Sequence, residues 1–236
     1  MKKILVFEIK GAYAHFKKIY ATTSAVSYMI PPKTSLYGYL GAIVGLEKDR
    51  YLQSFQNKDC LIGLQICSPI RMQRINTNLR PKLGRLKAND NRKPTTVEYV
   101  YKPHYKIYVT HKDAELMANL QNRLQNQQST YTPTLGLANM LSSFHWVGSF
   151  EVEKTIVDQP SPIHSVIPRK KFVRLDNQKL LPEKNHLIEQ SLFSIEMDVE
   201  RNVTERDDII FDKNAQPIWA QVTNYYTIQQ QNVILF

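Results

Sequence analysis

The chain has 236 residues, of which 42% are hydrophobic and 22% are charged, and this composition excludes a chain that is disordered throughout. Its formal net charge of +10 is concentrated at the front, because residues 1–150 carry 21 Lys and Arg against 8 Asp and Glu, whereas residues 151–236 carry 10 against 13. This one-sided charge favours a polyanionic partner for the front part, nucleic acid first, over a merely soluble basic surface.

The first predicted element is a strand over Ile4–Ile9 (ILVFEI), which is short and rich in β-forming residues. Only Lys10 separates it from Gly11. Two lysines precede it, but the apolar run after them is too short for a signal peptide. No stretch of the chain approaches the ~18 apolar residues that a membrane helix needs. The sequence therefore predicts a cytoplasmic protein.

Residues 11–28 are a predicted loop that is dense in aromatic, hydroxyl and basic side chains. Aromatic rings can stack on unpaired bases, and hydroxyls can donate to phosphate or to the ribose 2′-OH. Lysines in the same loop can pair with phosphate. The candidate RNA contacts in this loop are Gly11, Tyr13, His15, Phe16, Lys17, Lys18, Tyr20, Thr22, Thr23, Ser24 and Tyr28.

A helix is predicted after the double proline Pro31-Pro32, with Thr34 or Ser35 as its N-cap. Its predicted apolar face consists of Leu36, Leu40, Ile43 and Val44. Three glycines recur within it at three- and four-residue spacing, and each costs a helix about 1 kcal/mol. We therefore expect something to approach this helix closely, either the backbone of its own sheet or a phosphodiester chain. The candidate RNA contacts at the helix start are Lys33, Thr34 and Tyr37.

The second predicted strand, Leu61–Ile66, is flanked by the two cysteines of the chain, Cys60 and Cys67. An odd separation within a strand points their side chains to opposite faces, so no disulfide between them is expected. No second Cys/His cluster is available in the sequence to complete a zinc site. We expect two core thiols in a reducing compartment, with no metal and no cofactor.

The character of the chain changes between Arg71 and Lys93, where eight of 23 residues are Arg or Lys and Asp90 is the only acid. Pro81 and Gly84 interrupt this segment near its middle, as they would at a hairpin tip. The pattern predicts a basic β-hairpin arm over about residues 69–103. Because such one-sided charge is costly without a counter-charge, phosphate binding is favoured over a solvated basic loop. The candidate contacts here are Arg71, Arg74, Arg80, Lys82, Arg85, Lys87, Arg92, Lys93, Lys102 and His104.

The later elements complete a recognisable order. Their predicted bounds are Val97–Tyr101 and Tyr105–Thr110 for strands, Asp113–Gln127 for a helix and Trp146–Ile156 for a fourth strand. The order strand, helix, strand, arm, strand, helix, strand is typical of the ferredoxin-like or RRM-type fold, with an insertion before the third strand. We predict an α+β, ferredoxin-like domain over residues 1–157. For residues 158–236 we predict a small antiparallel β-rich appendage.

Three segments in the front of the chain resemble a known family: GAYAHFKK, TTSAVSY and IPPKTSLYGYLGAIVGL. They are similar to the N-terminal signature of the fifth Cas protein family, the RAMP-superfamily subunits of type I CRISPR effector complexes (Cascade), and most resemble subtype I-B. Weaker similarity includes the basic insert, PTLG at Pro133–Gly136 and MDVERNV from Met197.

The resemblance implies a RAMP domain with a non-catalytic role. It implies CRISPR RNA as a partner, with the chain holding the 5′ handle of the guide and capping the backbone filament. Contacts with the backbone subunit and the large subunit, and with target DNA in the assembled complex, are implied as part of antiviral DNA interference.

Two other functions remain open. The first is metal-independent cleavage of precursor CRISPR RNA, in which a histidine takes the 2′-hydroxyl proton and a cation stabilises the phosphate. Candidates for it are His15 with Lys17 or Lys18, His104 with Lys102, and Tyr37. Members of the similar subtype I-C branch use a Tyr, Lys and His set, but this sequence has no matching Lys-His pair. The second is a free-standing basic RNA-binding module.

Overall fold

The computed structural model describes residues 1–18, 25–56, 58–79, 93–156 and 158–236, which are mostly β-strand. The strands of the front part are β1 (Lys2–Gly11), β2 (Tyr13–Ala14), β3 (Phe16–Lys17), β4 (Ser27–Tyr28), β5 (Cys60–Ile66), β6 (Arg71–Leu79), β7 (Lys93–Tyr101), β8 (His104–His111) and β9 (Ser142–Val152). Those of the rear part are β10 (Lys154–Thr155), β11 (Ser161–Ile163), β12 (Ile167–Pro168), β13 (Phe172–Leu175), β14 (Leu187–Met197), β15 (Val203–Asp212), β16 (Ile218–Val222), β17 (Tyr225–Ile228) and β18 (Gln231–Val233). The helices are α1 (Lys33–Val44), α2 (Tyr51–Ser54) and α3 (Ala114–Gln125), and a 3-10 turn spans Arg169–Lys171. Among the described residues no helix has the length and hydropathy needed to span a bilayer.

The central sheet has the strand order β5-β8-β1-β9, and every neighbouring pair is antiparallel. Strand β1 lies inside it and sends side chains to both faces. Leu5 and Phe7 join the core that contains the buried faces of α1 and α3. Ile4 and Val6 point the other way and pack against Val233 and other residues near the C-terminal end. A sheet covered on both faces needs strands that are apolar throughout, which explains the continuous run ILVF.

Helix α1 confirms the predicted apolar face but not the predicted cap. Its four predicted core residues are all buried, since none is more than 8% exposed: Leu36, Leu40, Ile43 and Val44. The N-cap is Pro32, and no side chain caps the helix start, so the expectation that Thr34 or Ser35 caps the helix is wrong. Both residues lie inside the first turn, because the double proline already sets the backbone that leads into the helix.

The glycines of α1 serve packing and termination within the protein itself. A Cβ on Gly41 would lie 2.7 Å from the Cβ of Tyr51, so the close neighbour is a side chain, and not the sheet backbone or phosphodiester that we expected. Gly45 ends the helix in a left-handed conformation at φ +86°, which glycine adopts without strain. Gly38 is the exception, because a Cβ there would meet only the Tyr51 ring, at 3.7 Å.

Helix α3 begins as the sequence predicted. Asp113 is the N-cap, and its carboxylate accepts hydrogen bonds from the backbone N–H groups of Glu115 and Leu116. Leu120 and Leu124 are buried against the central sheet. A charged cap at the positive end of a helix and apolar residues at four-residue spacing are local signals, so this element could be found from sequence alone.

The predicted basic hairpin is formed by β6 and β7, which pair without interruption from Arg71 opposite Tyr101 to Leu79 opposite Lys93. Strand β2 adds to the outer side of β7, with Tyr13 opposite Tyr101. The tip, residues 80–92, lies outside the described residues.

The rear of the chain forms two sheets, of strand orders β10-β17-β18-β11-β16-β13 and β12-β15-β14. Antiparallel strands were predicted here, and all pairs are antiparallel except β11 with β18. These two sheets do not form a separate appendage. Phe193 and Phe211 lie in the same core as α1, and Leu235 packs under β1. The rear strands therefore help to bury the central sheet.

Gly136 is expected to be the least replaceable glycine of the fold. Its φ is +99°, and a Cβ there would overlap the carbonyl oxygen of His15, so neither residue can move without breaking the loop contact. We expect Gly136→Ala to lower the free energy of unfolding by more than about 2 kcal/mol, from backbone strain and the clash. Urea unfolding measures this change.

Gly38→Ala is the matched control for that substitution. Its Cβ has room, and replacing a helical glycine by alanine stabilises a helix by about 0.5–1 kcal/mol. An equal effect of the two substitutions on stability would contradict the close contact between residue 136 and the backbone of His15.

Candidate nucleic-acid interface

Three tyrosines form an aromatic face at the base of the hairpin. The ring of Tyr13 lies 5.9 Å from that of Tyr99 and 5.4 Å from that of Tyr101, centroid to centroid. All three side chains are half-buried, so each keeps part of its ring accessible. The ammonium of Lys102 lies 5.3 Å above the Tyr101 ring. Accessible rings beside cations are the arrangement on which proteins stack the bases of single-stranded nucleic acid.

Arg71 lies directly across from Tyr101 in the hairpin register, and Gln73 lies across from Tyr99. Cross-strand partners point to the same face of a sheet, so an exposed guanidinium joins the tyrosines on this side. The sequence predicts Arg71, Tyr13 and Lys102 as interface residues but not Tyr99 and Tyr101. The alternation in VEYVY was the available signal, because it places both tyrosines on one face of β7.

His15 lies next to this face and is held there by two hydrogen bonds. Its side chain is 5% exposed, and its ring lies 5.9 Å from that of Tyr99. Nδ1 donates a hydrogen bond to the carbonyl oxygen of Glu98 at 2.7 Å, which fixes the proton on that nitrogen because a carbonyl can only accept. The backbone N–H of His15 donates to the carbonyl of Leu135. His15 is therefore part of the predicted interface, but most of its side chain lies below the protein surface.

Glu98 connects the hairpin to the loop. Its carboxylate accepts two hydrogen bonds from Arg74, at 3.0 Å and 2.9 Å, and its backbone N–H donates to the carbonyl of Ala25. Arg74, a predicted phosphate contact, thus has an acidic partner in its own hairpin. The Arg74 side chain is 75% exposed, and surface pairs of this kind contribute only about 0–1 kcal/mol, so the pair adds little stability but gives the guanidinium a carboxylate partner in place of phosphate.

Several predicted contacts lie in the core and cannot face a ligand. Phe16 is 3% exposed and Tyr28 is 1% exposed, with the Tyr28 hydroxyl donating to the carbonyl of Leu192. Tyr37 is fully buried, its hydroxyl donates to Glu196 at 3.4 Å, and burial raises the pKa of this phenol. The expectation that these aromatic residues contact RNA is wrong, because their rings are packed in the hydrophobic core.

Lys33 is also buried rather than presented to a ligand. It is 0% exposed, its ammonium donates to the carbonyl oxygen of Phe236, and it lies over the rings of Tyr37 and Phe236. Burial lowers the pKa of Lys33 from its ordinary 10.5 to about 8. Its predicted role in phosphate binding is therefore wrong.

The buried Lys33 predicts a pH dependence of stability. Between pH 8 and 10.5 the folded chain has released this proton while the unfolded chain still binds it, so stability should rise with pH in that window. The free energy of unfolding of the wild type, minus that of Lys33→Met, is expected to rise by about 2 kcal/mol between about pH 7.5 and 9.5. Urea unfolding at each pH measures it, and the other titrating groups are common to both proteins. A flat difference would mean that Lys33 titrates normally.

His104, a predicted RNA contact, lies in a polar cluster on the central sheet. Its Nε2 is 2.9 Å from the carboxylate of Glu8, and the ligand-type atoms of Glu8, Cys67 and His104 lie within 4.8 Å of one another. Burial raises the pKa of the Cys67 thiol to about 11. Lys10 and Lys106 lie 3.4 Å and 3.9 Å from Glu8, so its charge is already balanced and two ammonium groups oppose a cation here.

The remaining candidates divide between positions that the structure describes and the undescribed part of the chain. Lys17 is exposed, and the Lys18 ammonium lies 5.6 Å from the Tyr28 ring. Gly11 packs against Leu135, and Thr34 lines a groove beside α1. The candidates outside the described residues are Tyr20, Thr22, Thr23, Ser24, Arg80, Lys82, Arg85, Lys87 and Arg92, and for Lys93 only the backbone is described.

Comparison with known proteins gives one family and several structural neighbours. The model of the CRISPR-associated protein (Cas_Cas5) family matches residues 4–155, which include the central sheet, the loop and the hairpin. No curated protein matches the chain in sequence.

Several solved structures of CRISPR proteins are similar to this chain. A CRISPR protein from Archaeoglobus fulgidus is 13% identical, with 98% of this chain and 97% of that one covered and a TM-score of 0.56. A chain of a CRISPR RNA-guided surveillance complex is 12% identical over 92% and 91%, with a TM-score of 0.49. A chain of a type III-B Cmr-beta complex bound to cognate target RNA and AMPPnP is 12% identical over 93% and 86%, also at 0.49. The Archaeoglobus structure shows a shared fold along almost the full chain.

Proposed function

The chain belongs to the CRISPR-associated protein (Cas_Cas5) family, and from this premise we propose that it is a non-catalytic CRISPR RNA-binding subunit of a type I effector complex (Cascade), of subtype I-B. In that complex it holds the 5′ handle of the guide and caps the backbone, in contact with the backbone and large subunits and near target DNA. The unit β1-α1-β5-β8-α3-β9 is then a ferredoxin-like RAMP domain, and the β6–β7 hairpin is its arm.

The observation that carries this proposal is the aromatic face of Tyr13, Tyr99 and Tyr101 at the base of a basic hairpin. Unpaired handle bases stack on these rings, and every base has a face that can do so. Arg71 and Lys102 flank the rings and neutralise phosphates of the same strand. Rings and cations together bind a single strand better than duplex, whose bases are already stacked.

The placement of the candidate catalytic groups supports a non-catalytic role. Tyr37 is fully buried with a raised pKa, and His104 is engaged by Glu8. His15 keeps Nε2 as its possible base, but the residue is only 5% exposed. A general base must reach the 2′-hydroxyl within hydrogen-bond distance, and none of these three residues presents such a group at the surface.

The test is binding of a labelled RNA that carries a repeat-derived 5′ handle, against an unrelated RNA of equal length. We expect tighter binding of the handle RNA and a strong fall of affinity with salt. Equal affinity for both RNAs would favour a free-standing basic RNA-binding module, as would a chain that purifies alone and monodisperse without other effector subunits.

A second assay separates binding from cleavage. The protein is incubated with repeat RNA and a chelator, and the RNA is expected to stay intact. A product ending in a 2′,3′-cyclic phosphate would overturn the non-catalytic assignment, and His15→Ala would then identify the base.

A further inference from the structure

A groove of about 350 Å³ opens beside the start of α1, on a part of the surface that the aromatic face does not include. Four parts of the chain meet there: α1 from Thr34 to Ala42, Tyr51 of α2, residues 132–136, and the end of β14 with the turn that follows it. Six of its eleven lining residues carry hydroxyl groups, and they are Thr34, Ser35, Tyr39, Tyr51, Thr132 and Thr134.

Arg201 supplies the charge of this groove. It is exposed, its backbone lies in the left-handed region at φ +67°, and its Nη2 is 3.5 Å from the hydroxyl of Tyr51. Among the described residues that line the groove, Arg201 is the one charged side chain, and no described carboxylate forms an ion pair with it. The guanidinium of Arg201 is therefore available to an anionic ligand in the groove.

The start of α1 adds the positive end of a helix to the same site, where the backbone N–H groups of Ser35 and Leu36 already donate to the carbonyl of Pro32. The first turn contains no acidic residue and no capping side chain, so the positive end of the helix dipole is unopposed. Thr34 lines the groove, is only 7% exposed, and its hydroxyl has no hydrogen-bond partner among the described residues. The Thr34 hydroxyl is not among the buried unpaired atoms of the described residues, so it is open to the groove and can donate to an acceptor bound there.

The groove is continuous with the proposed RNA-binding loop. Gly136 lies at its wall and against the carbonyl of His15, and the backbone N–H of His15 donates to Leu135 at 3.0 Å. Gly136 therefore connects the wall of the groove to His15, whose ring lies 5.9 Å from that of Tyr99 in the aromatic face. Hydroxyls with one guanidinium match a phosphate and a ribose.

We propose that this groove binds one phosphodiester group of the guide RNA, with Arg201 and the uncapped start of α1 holding the phosphate and the surrounding hydroxyls holding its ribose. This inference rests on the proposed function and assigns a site that the hairpin and the loop do not contain. A free nucleotide or inorganic phosphate offers the same chemistry, and the experiment below separates these sources.

The test compares Arg201→Gln and Thr34→Val with Arg206→Gln, which removes an equal charge from an exposed position on β15 outside the groove. Affinity for the handle RNA is measured by fluorescence anisotropy between low and moderate salt. Arg201→Gln is expected to lose about tenfold in affinity and to flatten the salt slope by about 0.7, the value for one phosphate on a single strand. Arg206→Gln should change neither quantity, and thermal unfolding checks that all variants are folded.

A charge-neutral linkage locates the contacted phosphate. Methylphosphonate is placed at one handle position at a time, and binding is measured with the wild type and with Arg201→Gln. One position is expected to weaken binding to the wild type and to have no further effect on the variant, since both changes remove the same contact.

Each outcome decides between the alternatives. If Arg201→Gln binds the handle RNA like the wild type while a tyrosine variant of the aromatic face does not, the groove assignment is wrong and the proposed function stands. If the wild type binds no RNA, the proposed function fails, and the groove assignment fails with it. If a mononucleotide or inorganic phosphate binds in an Arg201-dependent way but the RNA does not, the ligand is the free phosphate compound instead.

Discussion

Replacing Arg80, Arg85 and Arg92 together by alanine is expected to weaken binding of the handle RNA by about a hundredfold at low salt. The three arginines lie in the segment of 23 residues with eight basic side chains and one acid, so they act on a partner with many negative charges. Losing three phosphate contacts should lower the salt slope by about 2, because each contact on a single strand contributes about 0.7. Anisotropy titrations between about 50 and 300 mM salt measure both quantities, a range over which counterion release is large.

Arg74→Ala is the matched control for the arm. Its guanidinium is already paired with Glu98, so removing it should change RNA affinity and salt slope much less than removing any one of the other three. If the triple variant keeps the wild-type salt slope, the arm is not a phosphate-binding element, and the excess charge of the front must serve another surface.

Tyr99→Ala and Tyr101→Ala are each expected to weaken binding of the handle RNA by about 1–3 kcal/mol, or roughly tenfold to a hundredfold. The reason is the loss of a ring on which a base stacks, beside the ring of Tyr13 at 5.9 Å and 5.4 Å respectively. The salt slope should stay unchanged, because stacking releases no counterions. Measuring affinity and salt slope together therefore distinguishes the contacts of the aromatic face from those of the arm.

The conservative variants Tyr99→Phe and Tyr101→Phe should bind like the wild type, because they keep the ring and lose only the hydroxyl. Tyr131→Ala is a further control, since that ring is 49% exposed and is not in contact with the three tyrosines of the aromatic face. Loss of affinity in the phenylalanine variants would assign the contact to the hydroxyls and would contradict stacking.

Local patterns predicted much of the fold correctly. The helix predicted over Asp113–Gln127 is present as α3, with Asp113 as its cap, and the four-residue apolar spacing of α1 buries Leu36 and Leu40 as expected. Both signals arise from neighbouring residues on one helix, so no distant partner is needed to interpret them. The hairpin base was predicted for a related reason, because charge and turn residues within 30 positions distinguish it from core strands.

The candidate site was predicted less completely, because residue type does not decide burial. Tyr13 and Tyr28 belong to the same predicted loop, yet one joins the accessible aromatic face and the other packs against Phe193. Lys33 resembles any phosphate-binding lysine in sequence, but it donates to the carbonyl of Phe236, 203 positions away. Whether each of these side chains is buried depends on which distant part of the chain packs over it.

The amino-acid sequence by itself determined the basic front of the chain, its main helices and strands, and the hairpin, since charge density and periodicity are properties of neighbouring residues. Only the tertiary structure decided which candidates face a ligand. It brought Tyr99 and Tyr101 beside Tyr13 through strand register, and it assembled the groove at Arg201 from segments more than 60 residues apart. The physical reason is that a binding surface consists of what packing leaves exposed, and packing is settled by contacts between distant parts of the chain.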